Sequence, residues 1–125
     1  MNVSSTASLL PGPLQAVYFA TKAYVSSFSN AISEELKGTG ITVTNLMPGA
    51  TETNFGKVSG MDKTVMFDKT ASARKVAEDG YNGMISGKLD VISGLTFAQK
   101  ALNMMMPFLP KKMVLKQVKQ MQTPK

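Results

Sequence analysis

Gly40-Ile41-Thr42-Val43-Thr44-Asn45-Leu46-Met47-Pro48-Gly49 is the stretch that decides the architecture. Its β-branched run from Ile41 to Met47, fenced by glycine on one side and by Pro48-Gly49 on the other, reads as a strand. The residues before it, from about Leu14 to Lys37, read as a helix. Val17, Ala20, Tyr24, Phe28 and Ala31 recur at three- and four-residue steps and form one apolar stripe, expected to face the core. Glu34, Glu35 and Lys37 suit an exposed last turn, and Gly38 with Gly40 ends it. A helix followed within a few residues by a strand points to a parallel α/β sheet with right-handed crossovers. Ligands bind such sheets beyond the carboxyl ends of the strands, where Pro48-Gly49 lies.

Toward the N-terminus, Asn2-Val3-Ser4 reads as the stub of a second strand, which brings Ser4-Ser5 to the same rim. Residues 5–14, with Pro11-Gly12-Pro13, are expected to be a loop without regular structure. In the other direction, residues 54–70 mix glycine, charge and methionine and read as a mobile surface loop. Thr70 to Met84 reads as a helix capped by Thr70 or Ser72. Asp90-Val91-Ile92-Ser93 reads as a short last strand. From Leu95 the pattern is helical again, broken by Pro107 and Pro110.

Composition narrows the chemistry. The 125 residues are 43% hydrophobic and 18% charged, ordinary for one globular domain. There is no cysteine and no histidine, so disulfides, thiolate sites and histidine triads are excluded and no metal centre is expected. No basic region followed by an apolar stretch opens the chain, and no apolar run approaches the roughly 20 residues that span a bilayer. A cytoplasmic protein is the default expectation. The net charge of +6 gathers at the end, where Lys111, Lys112, Lys116, Lys119 and Lys125 meet no acid. No stacking aromatics interleave with them, so nucleic acid is not the expected partner. Met113, Val114, Leu115, Val118 and Met121 alternate with these lysines and make residues 111–125 a basic amphipathic tail. Two readings stand: a helix packed on protein, or one lying on anionic lipid as a peripheral membrane contact.

Tyr18 and Lys22 are four apart, hence on one helix face. A phenol is a poor acid at neutral pH, with a reference value of roughly 10. An ammonium one turn away favours the phenolate and turns such a phenol into a usable proton donor or acceptor. Ser5, at the end of the first strand, is placed to hold the oxygen that Tyr18 protonates. Taken alone, Tyr-x-x-x-Lys also describes many solvated helix faces, and Pro48-Gly49 also describes a plain strand-ending turn.

Asn2-Val3-Ser4-Ser5, then Tyr18-Phe19-Ala20-Thr21-Lys22-Ala23, then Pro48-Gly49-Ala50-Thr51-Glu52-Thr53 resembles, in order and spacing, the short-chain dehydrogenase/reductase family. The resemblance implies an α/β fold, the C-terminal half of a Rossmann-like doubly wound parallel sheet with flanking helices. Residues 1–125 would be a partial NAD(P)-binding domain holding the catalytic half. It implies hydride transfer between NAD(P)H and a small-molecule carbonyl or alcohol. Ser5, Tyr18 and Lys22 would be catalytic, and Lys22 would also bind the nicotinamide ribose alongside Tyr18. Pro48, Gly49, Thr51 and Thr53 would hold the nicotinamide, with the Thr51 backbone and the Thr53 hydroxyl on its carboxamide. Residues 54–70 would form the substrate lid, with Phe55, Met61, Met66 and Phe67 as its apolar wall. A homo-oligomer is implied for a full-length form.

The family's Gly-rich phosphate loop, its residue selecting NAD or NADP and its relay asparagine have no counterpart here. The expectation is therefore a truncated chain that alone binds NADPH no better than about millimolar. The alternative is a non-catalytic remnant or interaction module using a sheet edge and the basic tail.

Overall fold

The structure, a computed structural model, describes residues 1–124. Three parallel strands lie side by side in chain order: β1 (Asn2–Val3), β2 (Asn45–Pro48) and β3 (Asp90–Ser93). Asn2 pairs with Asn45, Asn45 with Asp90 and Pro48 with Ser93, so the carboxyl ends of all three strands reach one rim. Each crossover carries a helix, α1 (Ala16–Glu35) between β1 and β2 and α3 (Ala73–Ile85) between β2 and β3.

Neighbouring residues of a strand point to opposite faces of the sheet, and β2 shows which helix lies where. The Asn45 side chain donates to Ser26 of α1, while Leu46 lies against Gly80 of α3. The two helices therefore cover opposite faces, in a doubly wound α/β arrangement. Helix α3 approaches closely because it has no side chain at the contact points. A Cβ on Gly80 would lie 2.6 Å from Leu46 Cδ2, and one on Gly83 would lie 2.3 Å from Val91 Cγ2.

Helix α1 corrects the expectation for its apolar stripe. Val17 is 78% exposed and Tyr24 69%, and Phe28, expected in the core, is exposed as well; Ala20 and Ala31 share that outer side. The face against the sheet is hydroxyl-rich instead. Ser29 is fully buried, accepts from Asn2 Nδ2 at 3.0 Å and donates to the Val25 carbonyl. Ser26 donates to Ser4 at 2.8 Å and accepts from Asn45. Apolar burial sits at the start of α1, where Phe19 joins Ala7, Met106, Val114 and Val118 in one cluster.

Four smaller expectations also change. Residues 5–14 contain a 3₁₀ turn, Thr6–Leu9, capped by Ser5, whose Oγ accepts from the Ala7 amide at 3.1 Å. The strand expected over residues 41–47 pairs only from Asn45, since β1 offers a two-residue ladder; it then runs on through Pro48. The stretch over residues 54–70 is α2 (Phe55–Ser59) followed by two 3₁₀ turns, Met61–Lys63 and Val65–Phe67. Ser72 stands at the N-cap of α3, yet its side chain makes no capping bond.

The chain closes with α4 (Phe97–Met105), a 3₁₀ turn over Met106–Phe108 and α5 (Lys111–Gln122). Thr96 and Gln99 form a capping box at the start of α4. Helix α5 turns Val114, Val118 and Gln122 inward and leaves its lysines exposed.

Candidate active site

The rim formed by the strand ends opens into a cavity of about 510 Å3. Ser5, Tyr18 and Lys22 line it, together with Pro48, Gly49, Thr51 and Thr53. Three stretches distant in sequence thus supply every residue singled out by the sequence to a single concave surface.

Strand β1 ends at Val3, and two serines follow with different tasks. Ser4, 3% exposed, donates to the Lys22 carbonyl at 2.8 Å and accepts from Ser26. It ties α1 to the end of β1 at the level of the lysine. Ser5 turns the other way, toward β2, and its Oγ lies 3.4 Å from the Pro48 carbonyl. That bond is at the long limit of hydrogen bonding, so the Ser5 hydroxyl gives up little by turning to another acceptor. Ser4 and Ser26 were missed by sequence reasoning. The available signal was Ser26 lying one helical turn beyond Lys22, on the same face.

Lys22 reaches back over β1. Its Nζ lies 3.3 Å from the Val3 carbonyl and 5.9 Å from the centre of the Tyr18 ring. Tyr18 is half-buried and packs edge-on to Phe19 at 6.0 Å. On its other side lies Phe55, with ring centres 5.7 Å apart, and Phe55 in turn rests near Phe67. The stretch over residues 54–70 thus leans on the tyrosine through aromatic rings. Met61 is buried beneath it, while Met66 and Phe67 are half-buried. The same stretch is also tied to residues 122–124. Thr64 bridges Pro124, and Gln122 Nε2 lies 3.0 Å from Met66 Sδ.

The loop after β2 is shaped by close backbone approach. The Gly49 amide extends the ladder to the Ser93 carbonyl at 2.9 Å. A Cβ on Gly49 would lie 2.6 Å from Leu95 Cδ2 and 3.0 Å from the Gly94 carbonyl oxygen. Thr51 pairs with Ala71 through the Ala50 carbonyl and the Glu52 amide. In a parallel bridge of this kind the Thr51 N–H and C=O point away from Ala71. Thr53 Oγ1 accepts from the Phe55 amide at 3.2 Å and keeps its own hydrogen to donate.

A second, smaller cavity of about 100 Å3 lies next to the first. Thr6, Ala7, Phe19, Ala50 and Met66 line both. Its remaining walls combine Leu10, Leu102, Met106, Val118 and Met121 with the polar Lys69, Gln99 and Asn103. No cluster of metal-ligating residues occurs among the described residues.

The family model for short chain dehydrogenases matches residues 1–64, which contain all the motif residues named above. Very-long-chain 3-oxoacyl-CoA reductase of Mus musculus is 43% identical over 58 residues, 46% of this chain and 19% of that protein. Sulfoacetaldehyde reductase of Chromohalobacter salexigens is 47% identical over 55 residues, covering 44% of this chain and 22% of the relative. The chain thus spans about a fifth of the length of the curated relatives it matches. Among solved structures, a short-chain dehydrogenase from Sphingobium yanoikuyae in complex with NADPH superposes with a TM-score of 0.68 at 25% identity, over 88% of this chain and 45% of that one. An alcohol dehydrogenase from Comamonas testosteroni, specific for bulky-bulky ketones, shares the fold at a TM-score of 0.59. With the family model spanning the strand-end serines, the Tyr-x-x-x-Lys helix and the loop after β2, the chain belongs to the short-chain dehydrogenase family.

Proposed function

We propose that these residues form the reacting end of an NAD(P)H-dependent carbonyl reductase whose substrates carry a linear apolar chain. One observation carries the reading: Ser5, Tyr18, Lys22 and the Pro48–Thr53 loop line one largely apolar cavity, and a second adjoins it across the shared walls of Thr6, Ala7, Phe19, Ala50 and Met66. Names among the relatives support it, since a long-chain acyl ketone is what the mouse reductase acts on by its name. NADPH is the cofactor bound in the Sphingobium structure.

The residues fit a nicotinamide. Gly49 lets the loop close against Leu95 and Gly94, the Thr51 amide group points off its ladder, and the Thr53 hydroxyl has a proton to donate. Together they match a carboxamide, which has both donors and an acceptor. When bound, NAD(P)H supplies the hydride that reduces the carbonyl carbon. Tyr18 Oη–H donates its proton to the carbonyl oxygen as negative charge develops there, leaving a phenolate. The ammonium of Lys22, 5.9 Å from the ring centre, offsets that charge. Ser5 trades its long contact with Pro48 for a hydrogen bond to the same substrate oxygen, aligning it for Tyr18. Phe55, against the Tyr18 ring, and Phe67 beside it offer apolar surface next to the reacting atoms. In the alcohol direction the Tyr18 phenolate accepts the proton.

Reduced nicotinamide mononucleotide tests the cofactor end on the 125-residue chain itself, because it needs no adenosine site. Saturation-transfer NMR should show contact to its nicotinamide protons, reduced by at least half in Thr53→Ala with Lys22→Ala. Equal transfer to parent and double variant would contradict the reading.

A further inference from the structure

We propose that the outer surface of α4 and α5 seats this protein on an anionic membrane surface. Phe97, Met104 and Met105 lie within one broad side of α4 at seven- and one-residue steps, and Phe108 follows in the 3₁₀ turn that ends it. All four are bare: Phe97 and Phe108 are each 89% exposed, Met104 72% and Met105 62%. The inner side of the same segment is satisfied, since Met106 is buried in the core cluster. This is a run of large apolar side chains turned to the outside by a segment that already has its core contact. Contiguous exposed apolar surface of this kind marks an interaction site.

The charge around it selects the occupant. Asp90 is the last acidic residue of the sequence, and Lys100, Lys111, Lys112, Lys116, Lys119 and Lys125 all follow it. Helix α5 points Val114 and Val118 inward and leaves Lys111, Lys112, Lys116 and Lys119 exposed beside Met113 and Leu115. Exposed phenylalanine and methionine tips followed within three or four residues by exposed lysines, with no acid between, have the chemistry that an anionic lipid surface takes in both its layers. The apolar tips enter the boundary of the acyl chains, and the ammonium groups stay at the phosphates. A nucleic acid would complement the lysines but not a row of solvent-bare Phe and Met residues without stacking geometry. No helix among the described residues is long and apolar enough to cross a bilayer, so the contact is a surface one. Leu102 of α4, Met106 of the 3₁₀ turn and Val118 of α5 line the smaller cavity. Seating α4 and α5 on lipid would open a short route for an apolar substrate.

Vesicle co-sedimentation of the full 125-residue chain tests this, using phosphatidylcholine alone and phosphatidylcholine with a third phosphatidylserine. Binding is expected only to the second. Charge reversal by Lys111→Glu, Lys112→Glu and Lys116→Glu should weaken it about 100-fold or more. Phe97→Ser with Phe108→Ser should weaken it at least about 10-fold with the melting temperature unchanged, since both side chains are bare. A Phe108→Trp variant should shift its emission to the blue on phosphatidylserine vesicles. Failure to sediment with those vesicles, or an unshifted tryptophan, would overturn the proposal. So would sedimentation that survives the serine variant, which would mean simple charge adsorption. A dimer in light scattering that the serine variant dissolves, without change in vesicle binding, would assign the surface to a second copy of the chain.

Discussion

Helix α1 is gripped by two seams of opposite chemistry. At its start, Phe19 enters an apolar cluster with Ala7, Met106, Val114 and Val118. Further along, its contact with the sheet is made of Ser26, Ser29, Asn2, Asn45 and Ser4, all joined by side-chain hydrogen bonds. The apolar seam supplies non-directional burial, worth about 25 cal/mol per Å2 of apolar surface removed from water. The polar seam gains little net energy per bond, but each bond has a direction. That directionality sets the height of α1 against the ends of β1 and β2, and Ser4 applies it at the Lys22 carbonyl itself. Stability and position are therefore assigned to different stretches of one helix.

The apolar seam should respond most strongly. Met106→Ala removes most of a side chain that is 2% exposed, and a cut of this size in a core costs about 2–5 kcal/mol. Urea unfolding should show that loss. A smaller one would mean that the cluster collapses to fill the gap. In the polar seam, Asn45→Ala removes one bond each from Ser26 and the exposed Asp90, at about 0.5–1.5 kcal/mol. The variant should also loosen α1 on the sheet, visible as faster amide exchange along Ser26–Ser29.

A third prediction concerns the rim of the sheet. The Lys75 ammonium beside Asp79, with a 2.6 Å hydrogen bond from Ser93 Oγ, holds the Asp79 carboxyl below its usual range against the opposing effect of burial. A lowered carboxylate value stabilises the fold above the unfolded value of about 3.9 and loses that contribution as pH falls below it. Between about pH 6 and about pH 3 the urea midpoint of the parent should fall further than that of Asp79→Asn. Parallel curves would show that the ion pair contributes nothing, as many exposed pairs do.

The smallest effect belongs to the outer side of α1. Val17→Ser should change stability by less than about 0.5 kcal/mol, because Val17 is 78% exposed. A loss typical of a core valine would restore the inward-facing stripe.

That last site marks where sequence reasoning stopped. The period of Val17, Ala20, Tyr24 and Phe28 is helical and correctly indicates a helix, yet periodicity reports which residues share a side, not which side is covered. The buried side carries Ser26 and Ser29, whose burial depends on partners in β1 and β2 and leaves no mark within the helix. Ile41 to Val43 have strand composition but no opposing ladder, so propensity outran pairing. The tail was legible as amphipathic, with packing on protein one of its two readings, but its partners were not, because Val114 and Val118 meet Ala7 and Phe19, about a hundred residues away in the chain. By contrast, Asp90–Ser93 and the Tyr18–Lys22 spacing were readable, because strand composition and helical turn are local properties.

The central claim is that Tyr18 is the proton donor of a carbonyl reduction. It is tested by placing a Gly-rich strand–helix unit of the family ahead of Met1 and following NADPH-dependent reduction of a long-chain ketone. Tyr18→Phe keeps the ring against Phe55 and removes only the hydroxyl. The rate should fall about 10²–10⁴-fold with NADPH affinity unchanged within about a factor of two. A phenylalanine variant that keeps more than about half of the parent's rate would contradict the claim, because loss of a general acid costs far more than that.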